Sequence, residues 1–404
     1  MTISSSSWQV VFVALALAVA SWPADAQRTR GRALPAQTAG PWTRYENLQP
    51  VLGVDGKMHE ATCSGYPGTD PSFSFWAKRG AENNLVVFFD GGGACWDDLT
   101  CTFPMTEAPD QVLQFYAPAI SPTRNPAGFD GIFRTDLAAN PVRDWSFVYI
   151  PYCTGDVHLG SGTRQYTNVG PPRLPLPPTF EIRHRGFDNF MVVLDWMRRN
   201  VGAPQKILVT GSSAGGYGAS GNFPWIKEAF PAAEVHVIAD ASQGVTPPAF
   251  DSGNPGRNSW SPTLAPWIYG VDPSPVRSAD ILLRAAEYYP GVRVAQFTTR
   301  FDGVQIGFYA AAELTTAPGG SCRNPLVDWN QQMVATLGGY IGTAPNFRYY
   351  VPRGTYHTIM GQPEFYSEST GSVAYADWVA AMLQGGDLWR NVACPACLTP
   401  APCR

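Results

Sequence analysis

Six short runs rich in β-branched and aromatic residues, at 84–90, 146–151, 206–211, 234–240, 292–298 and 347–352, recur along the chain. Most are continuously apolar rather than alternating, as strands covered on both faces are. Helical spacing marks 186–200, 213–230, 278–289, 327–337 and 373–383, and in the first of these Phe187, Phe190, Leu194 and Met197 share one face. Strands alternating with helices predict βαβ units, hence an α/β fold with a mainly parallel central sheet and helices on both faces. Two proline-rich stretches interrupt the alternation: GPPRLPLPP at 170–178, and a longer one at 244–275 carrying Pro247, Pro248, Trp260, Pro262, Pro266 and Trp267. Loops of this length inside compact domains are commonly lids, so both are expected to be cap insertions that wall a substrate site.

The N-terminal pattern differs. An apolar run at 10–20 precedes Pro23 and the small-residue sequence Ala24-Asp25-Ala26, the arrangement of an export leader cut before Gln27, although no Lys or Arg lies ahead of the run. Spanning a bilayer takes about 20 apolar residues, so the expectation is a removed leader at 1–26, a single domain at 27–404 and no stable membrane anchor. A net charge of −4 gives no basis for a nucleic-acid partner. Eight cysteines, an even number, fit disulfides in an exported chain. Cys95 and Cys101 flank a short loop and are expected to pair. Cys394, Cys397 and Cys403 are expected to pin the tail, one of them reaching Cys322. Zinc and redox readings of Cys394 and Cys397 lack a supporting histidine beyond His357.

The chemistry concentrates in ILVTGSSAGGYG, 207–218. It contains GxSxG as Gly211, Ser212, Ser213, Ala214 and Gly215, with a strand leading in and a helix leading out, the setting of a nucleophile elbow. Ser213 sits on the strained turn, and the flanking glycines remove side chains that would collide with the neighbouring strand and helix. Ser212 fails the spacing, because Thr210 stands two residues before it. A serine hydroxyl needs a base, and the order serine, acid, histidine leaves His357 alone among five histidines. His59, His158 and His184 precede Ser213, and His236 lies inside a predicted strand. The acid expected after the 292–298 strand is Asp302. Asp328 is set aside as the N-cap of a helix, and Asp240 is read as support for the site. Amide donors for an oxyanion come from Ala214, after the nucleophile, and from the glycines that end VVFFDGGGACW. No GxGxxG or GK[ST] pattern follows to suggest phosphate binding.

FFDGGGACWDDLTC, YCTGDVHLG, TGSSAGGYG, RFDGVQ and the late His357, in this order, resemble the pectin acetylesterase family, which includes plant cell-wall deacetylases and the animal Wnt deacylase Notum. The resemblance implies an α/β-hydrolase fold and a metal-independent carboxylic ester hydrolase that uses Ser213, Asp302 and His357. It places the oxyanion positions on Gly92, Gly93 and Ala214. Where animal members carry a tryptophan after two glycines, this chain has Gly93 and then Ala94. YCTGDVHLG leaves two readings of Asp156 and His158 open: contact with substrate or a metal, or residues that hold their own loop in place.

The expectation is therefore a secreted or periplasmic serine esterase that takes acetyl groups from an esterified polysaccharide, with no cofactor. Its rivals are a polyester depolymerase, a short-chain lipid esterase, and a non-catalytic binding protein on the same fold. Oligomeric state is not legible.

Overall fold

The computed structural model describes residues 39–105, 113–172 and 174–403. The leader expected at 1–26 lies outside them. The central sheet is built from β1 (Thr43–Tyr45), β2 (Phe75–Lys78), β3 (Asn84–Phe89), β4 (Ser146–Ile150), β5 (Lys206–Ser212), β6 (Glu234–Asp240), β7 (Arg293–Phe297), β8 (Phe347–Val351) and β9 (Val392–Ala393). Its spatial order is β1-β2-β4-β3-β5-β6-β7-β8-β9. Only β2 runs against the rest, pairing antiparallel with β1 and β4, and every other pair is parallel.

Each strand sends alternate side chains to opposite faces, and both faces are covered. Leu85, Val87 and Phe89 of β3 join one core with Val209 of β5 and Val237 of β6. On that face pack α1 (Gly186–Asn200), α2 (Ala214–Ala229), α3 (Asp280–Tyr288), α4 (Gly303–Thr315) and α5 (Pro325–Thr343). Val86 and Phe88 face the other way, into a second core with Phe147, Leu208 and Trp378 of α6 (Tyr375–Gln384). Burial on both faces is why these runs read as continuous apolar stretches.

Several elements had weaker signals. β1, β2 and β9 are short strands on the sheet's flanks. The GVQIGFYAAAELT sequence of α4 contains two glycines, which lower helix propensity. The proline-rich stretch 170–178 is corrected here: it joins the two strands of an antiparallel hairpin, Gly162–Thr167 and Thr179–His184, whose Tyr166, Phe180 and Ile182 close a small separate core. None of its described residues lines the cavity that holds Ser213. The 244–275 insertion does wall that cavity, with Val245, Phe250, Arg257 and Trp260.

All eight cysteines are paired: Cys95 with Cys101 and Cys322 with Cys403, as expected, and also Cys63 with Cys153 and Cys394 with Cys397. Among the described residues no helix is long and apolar enough to cross a membrane.

Candidate active site

Five loops meet at the carboxyl ends of adjacent parallel strands β3, β5, β6, β7 and β8, where open α/β sheets bind ligands. They carry the triple glycine, Ser213, Asp240, Asp302 and His357.

Ser213 stands between β5 and α2 with φ 59° and ψ −124°. For a residue with a side chain this is a sparsely populated conformation, which the surrounding structure must impose. The glycines around it are steric requirements. A Cβ on Gly215 would lie 1.9 Å from the Phe89 carbonyl oxygen, and one on Gly211 would lie 2.3 Å from that of Gly215. The turn is also held from beneath, since the Ser213 amide donates to the Asp240 carbonyl oxygen at 2.8 Å.

Asp302 is fully buried, and its carboxylate caps α4 by accepting from the Val304 and Gln305 amides at 3.1 and 3.0 Å. Gln305 Nε2 adds a third donor at 3.0 Å. His357 Nδ1 lies 2.9 Å from each carboxylate oxygen. Holding the proton on Nδ1 leaves Nε2 as the basic nitrogen. Nε2 has no hydrogen-bond partner among the described residues, and His357 and Ser213 line the same cavity.

The reason for setting Asp328 aside needs correcting. The cap of α5 is Asn324, because Pro325 takes the first helical position. Asp328 sits inside the first turn and accepts from the Cys322 and Asn324 amides at 2.9 and 3.2 Å. The aspartate that caps a helix is Asp302 itself. Capping therefore does not distinguish the two, whereas the contact with His357 does.

Asp240, fully buried at the end of β6, bridges the two loops that matter most. Its side chain accepts from the Ser212 hydroxyl at 2.7 Å and from the Ile359 and Met360 amides at 2.9 Å. It thus ties the residue before Ser213 to the residues just after His357. Burial pushes its carboxyl up to about 6, against the lowering effect of these donors.

Of the expected oxyanion positions, Gly93 and Ala214 line the cavity, and Gly92 does not. Gly93 has φ +72°, and a Cβ there would lie 1.8 Å from the Phe115 carbonyl oxygen. Ala214 opens α2, so its amide is among the four at a helix start with no partner inside the helix. Gly92 lies outside the cavity, and its carbonyl accepts from the Ala117 amide at 2.8 Å.

Asp156 and His158 do not reach the cavity, which corrects the substrate or metal reading. Asp156 accepts from the Thr154 hydroxyl and the Gly186 amide at 2.6 and 2.7 Å, while burial raises its carboxyl to about 6. His158 Nε2 donates to the Asp90 carbonyl at 2.9 Å, and burial lowers its imidazole to about 4. Their neighbours Val157 and Leu159 line the cavity instead. Cys95, Cys101 and His184 also come together. However, the two sulfurs share a disulfide, and His184 is engaged by the Thr154 carbonyl and the Tyr166 hydroxyl.

The cavity holds about 90 Å³, and its walls include Trp96, Val157, Leu159, Val245, Phe250 and Trp260. Gln305 was not singled out in the sequence, although Asp302-Gly303-Val304-Gln305 has the spacing of a capping box. Here the glutamine side chain turns onto the capping carboxylate and also donates to the Thr298 hydroxyl at 3.1 Å.

Known proteins share this fold and part of this sequence. Two crystal structures of the Wnt deacylase Notum from Drosophila share the fold at 16% identity. One gives a TM-score of 0.55 over 88% of this chain and 99% of that one, the other 0.53 over 84% and 94%. Pectin acetylesterase 11 of Arabidopsis thaliana is 25% identical over 178 residues, a stretch covering 43% of this chain and 41% of that relative. A model of the pectinacetylesterase family matches residues 47–251, which include the triple glycine, the strained serine and the loop of Asp156. The chain belongs to the pectinacetylesterase family.

Proposed function

We propose that the protein is an exported serine ester hydrolase that removes short acyl groups, acetyl in the first place, from an esterified polysaccharide. Ser213 Oγ adds to the ester carbonyl as His357 Nε2 takes its proton, and the charge that develops on the carbonyl oxygen is met by the Gly93 and Ala214 amides. His357 then returns the proton to the departing alcohol. Water repeats the sequence on the acyl-enzyme, releasing the acid and restoring Ser213. Asp302 keeps the imidazole in one tautomer and stabilises its protonated form.

The observation that carries this reading is the His357 Nδ1 contact with both oxygens of buried Asp302, which leaves Nε2 unpartnered beside a cavity that Ser213 lines. The family match ends at residue 251, so Asp302 and His357 rest on this geometry. A short acyl group is favoured by size: the cavity's 90 Å³ is below the ~150 Å³ of an apolar cavity that admits benzene. Four disulfides support export. The test is hydrolysis of p-nitrophenyl acetate and of acetylated pectin by Ser213→Ala. Turnover should drop by about 10⁴-fold or more, and full activity in the variant would overturn the assignment.

A further inference from the structure

The cavity wall contains one charged side chain that the proposed chemistry does not use. Arg257 lies in the 244–275 insertion, is 2% exposed, and shares the cavity with Ser213 and His357. Its Nη2 donates to the Pro273 and Ser274 carbonyls, each at 3.1 Å, and at 3.5 Å to that of Asp251. Nε and Nη1 are buried and find no acceptor among the described residues. Asp251 acts on Arg257 electrostatically without pairing with it. Its own oxygens accept from the Ser278 amide at 3.1 Å, the Thr246 hydroxyl at 3.0 Å and the Ser278 hydroxyl. A guanidinium cannot shed its charge as a lysine can, and buried donors left without partners are costly. In a cavity with no other permanently charged wall residue, two idle donor atoms on a cation define a place for an anionic oxygen group.

From this we infer that Arg257 reads a carboxylate at the far end of the acyl group, so that half-esters of short dicarboxylic acids are substrates of this site. Position sets which part of the substrate carries the carboxylate. Arg257 and Ser213 line the same cavity, so a chain of a few carbons held on the serine and ending in a carboxylate can extend toward the guanidinium. The inference rests on the serine-hydrolase reading and names the acyl class of that same site, with acetyl as the smallest acyl it accepts.

The test compares matched nitrophenyl esters on the mature protein: the hemisuccinate and hemiglutarate against butyrate and pentanoate. Wild type should favour the charged acyl by roughly ten- to a hundredfold in kcat/KM, the worth of a charge-assisted hydrogen bond. Arg257→Met should abolish that preference mainly through KM while still hydrolysing nitrophenyl acetate, and Arg257→Lys should restore part of it. No preference in the wild-type enzyme overturns the inference without any variant being needed. A second arm uses acetylated oligogalacturonide as free acid and as methyl ester; an Arg257-dependent preference there, and not between the nitrophenyl pairs, moves the carboxylate to the alcohol side and overturns the acyl assignment. If no ester is turned over, the hydrolase reading has failed, and calorimetry of glutarate binding to wild type and Arg257→Met then decides the carboxylate site alone.

Discussion

The strand-end cluster and the 244–275 insertion face one cavity but treat their charged groups in opposite ways. At the strand ends, both carboxylate oxygens of Asp302 and both of Asp240 have donors at 2.7 to 3.1 Å. In the insertion, Arg257 keeps two buried donor atoms without acceptors among the described residues. Groups that fix the serine and histidine are thus satisfied before any substrate arrives, which is what preorganisation requires. The group facing outward from the insertion is left open. The difference separates a part of the site that sets the reaction from a part that selects the acyl group.

Substitutions can break this separation, and the largest effect is expected at Asp302. In Asp302→Asn the side chain can still cap α4 by accepting from Val304 and Gln305, so the melting temperature should move by only a few degrees. It can no longer hold His357 in the productive tautomer, and kcat on nitrophenyl acetate should fall by about 10⁴-fold. A loss below tenfold would show that the histidine is oriented by something else.

Asp240→Asn sharpens the comparison, because Asp240 acts through its neighbours and does not line the cavity. An amide presents one acceptor oxygen where the carboxylate presents two to the Ser212 hydroxyl and the Ile359 and Met360 amides. We expect kcat to fall by roughly ten- to a hundredfold with KM little changed, as for a misplaced base. Acidity gives a second readout. Burial raises this carboxyl from an ordinary 3.8 to about 6, so between about pH 4 and 6 the unfolded chain has lost the proton and the folded one retains it. Stability from this group is therefore complete below about pH 4 and declines as pH rises through 6. The clamp on Ile359 and Met360 strengthens over the same interval, as the carboxylate forms. Wild type should gain turnover while losing stability on going from pH 5 to 7, and Asp240→Asn should lack both contributions. Identical pH profiles of melting temperature in the two proteins would argue that Asp240 titrates as an ordinary surface carboxylate.

Much of the strand-end half was legible in the sequence, and for one reason. Strands buried on both faces must be continuously apolar, and the nucleophile's turn needs glycine where a Cβ would strike backbone, as Gly215 would strike Phe89. Elimination then isolated His357. What stayed hidden depends on contacts between segments far apart in the chain. Nothing near Asp156 or His158 says that these two bury in their own loop while Val157 and Leu159 line the cavity, in a stretch where Val157 and His158 both have positive φ. Capping was assigned to the wrong aspartate because an aspartate near a helix start does not reveal whether Pro325 or Gly303 opens the helix. Arg257 carried no signal at all, since a lone arginine in a proline-rich loop ordinarily reaches solvent.

The smallest expected effect tests how far the insertion depends on the strand-end half. Trp260 packs edge-on against Phe250, and its indole Nε1 donates to the Cys95 carbonyl at 2.6 Å, two residues beyond Gly93. Among the described residues this is a direct hydrogen bond from the insertion to the loop that presents the oxyanion amide. Trp260→Phe keeps a ring in place but leaves the Cys95 carbonyl buried without that donor. The cost should be about 1 kcal/mol of stability, and kcat/KM on nitrophenyl acetate should drop by no more than about fivefold, because Gly93 is also positioned from its other side by the Ala94 amide donating to the Phe115 carbonyl at 2.9 Å. Titrated nitrophenyl ester kinetics on this variant would show a purely local loss as an unchanged ratio between acetate and butyrate. A drop comparable to that of Asp302→Asn would mean that the insertion helps to build the oxyanion site, and selection of the acyl group could then no longer be assigned to a region separate from the chemistry.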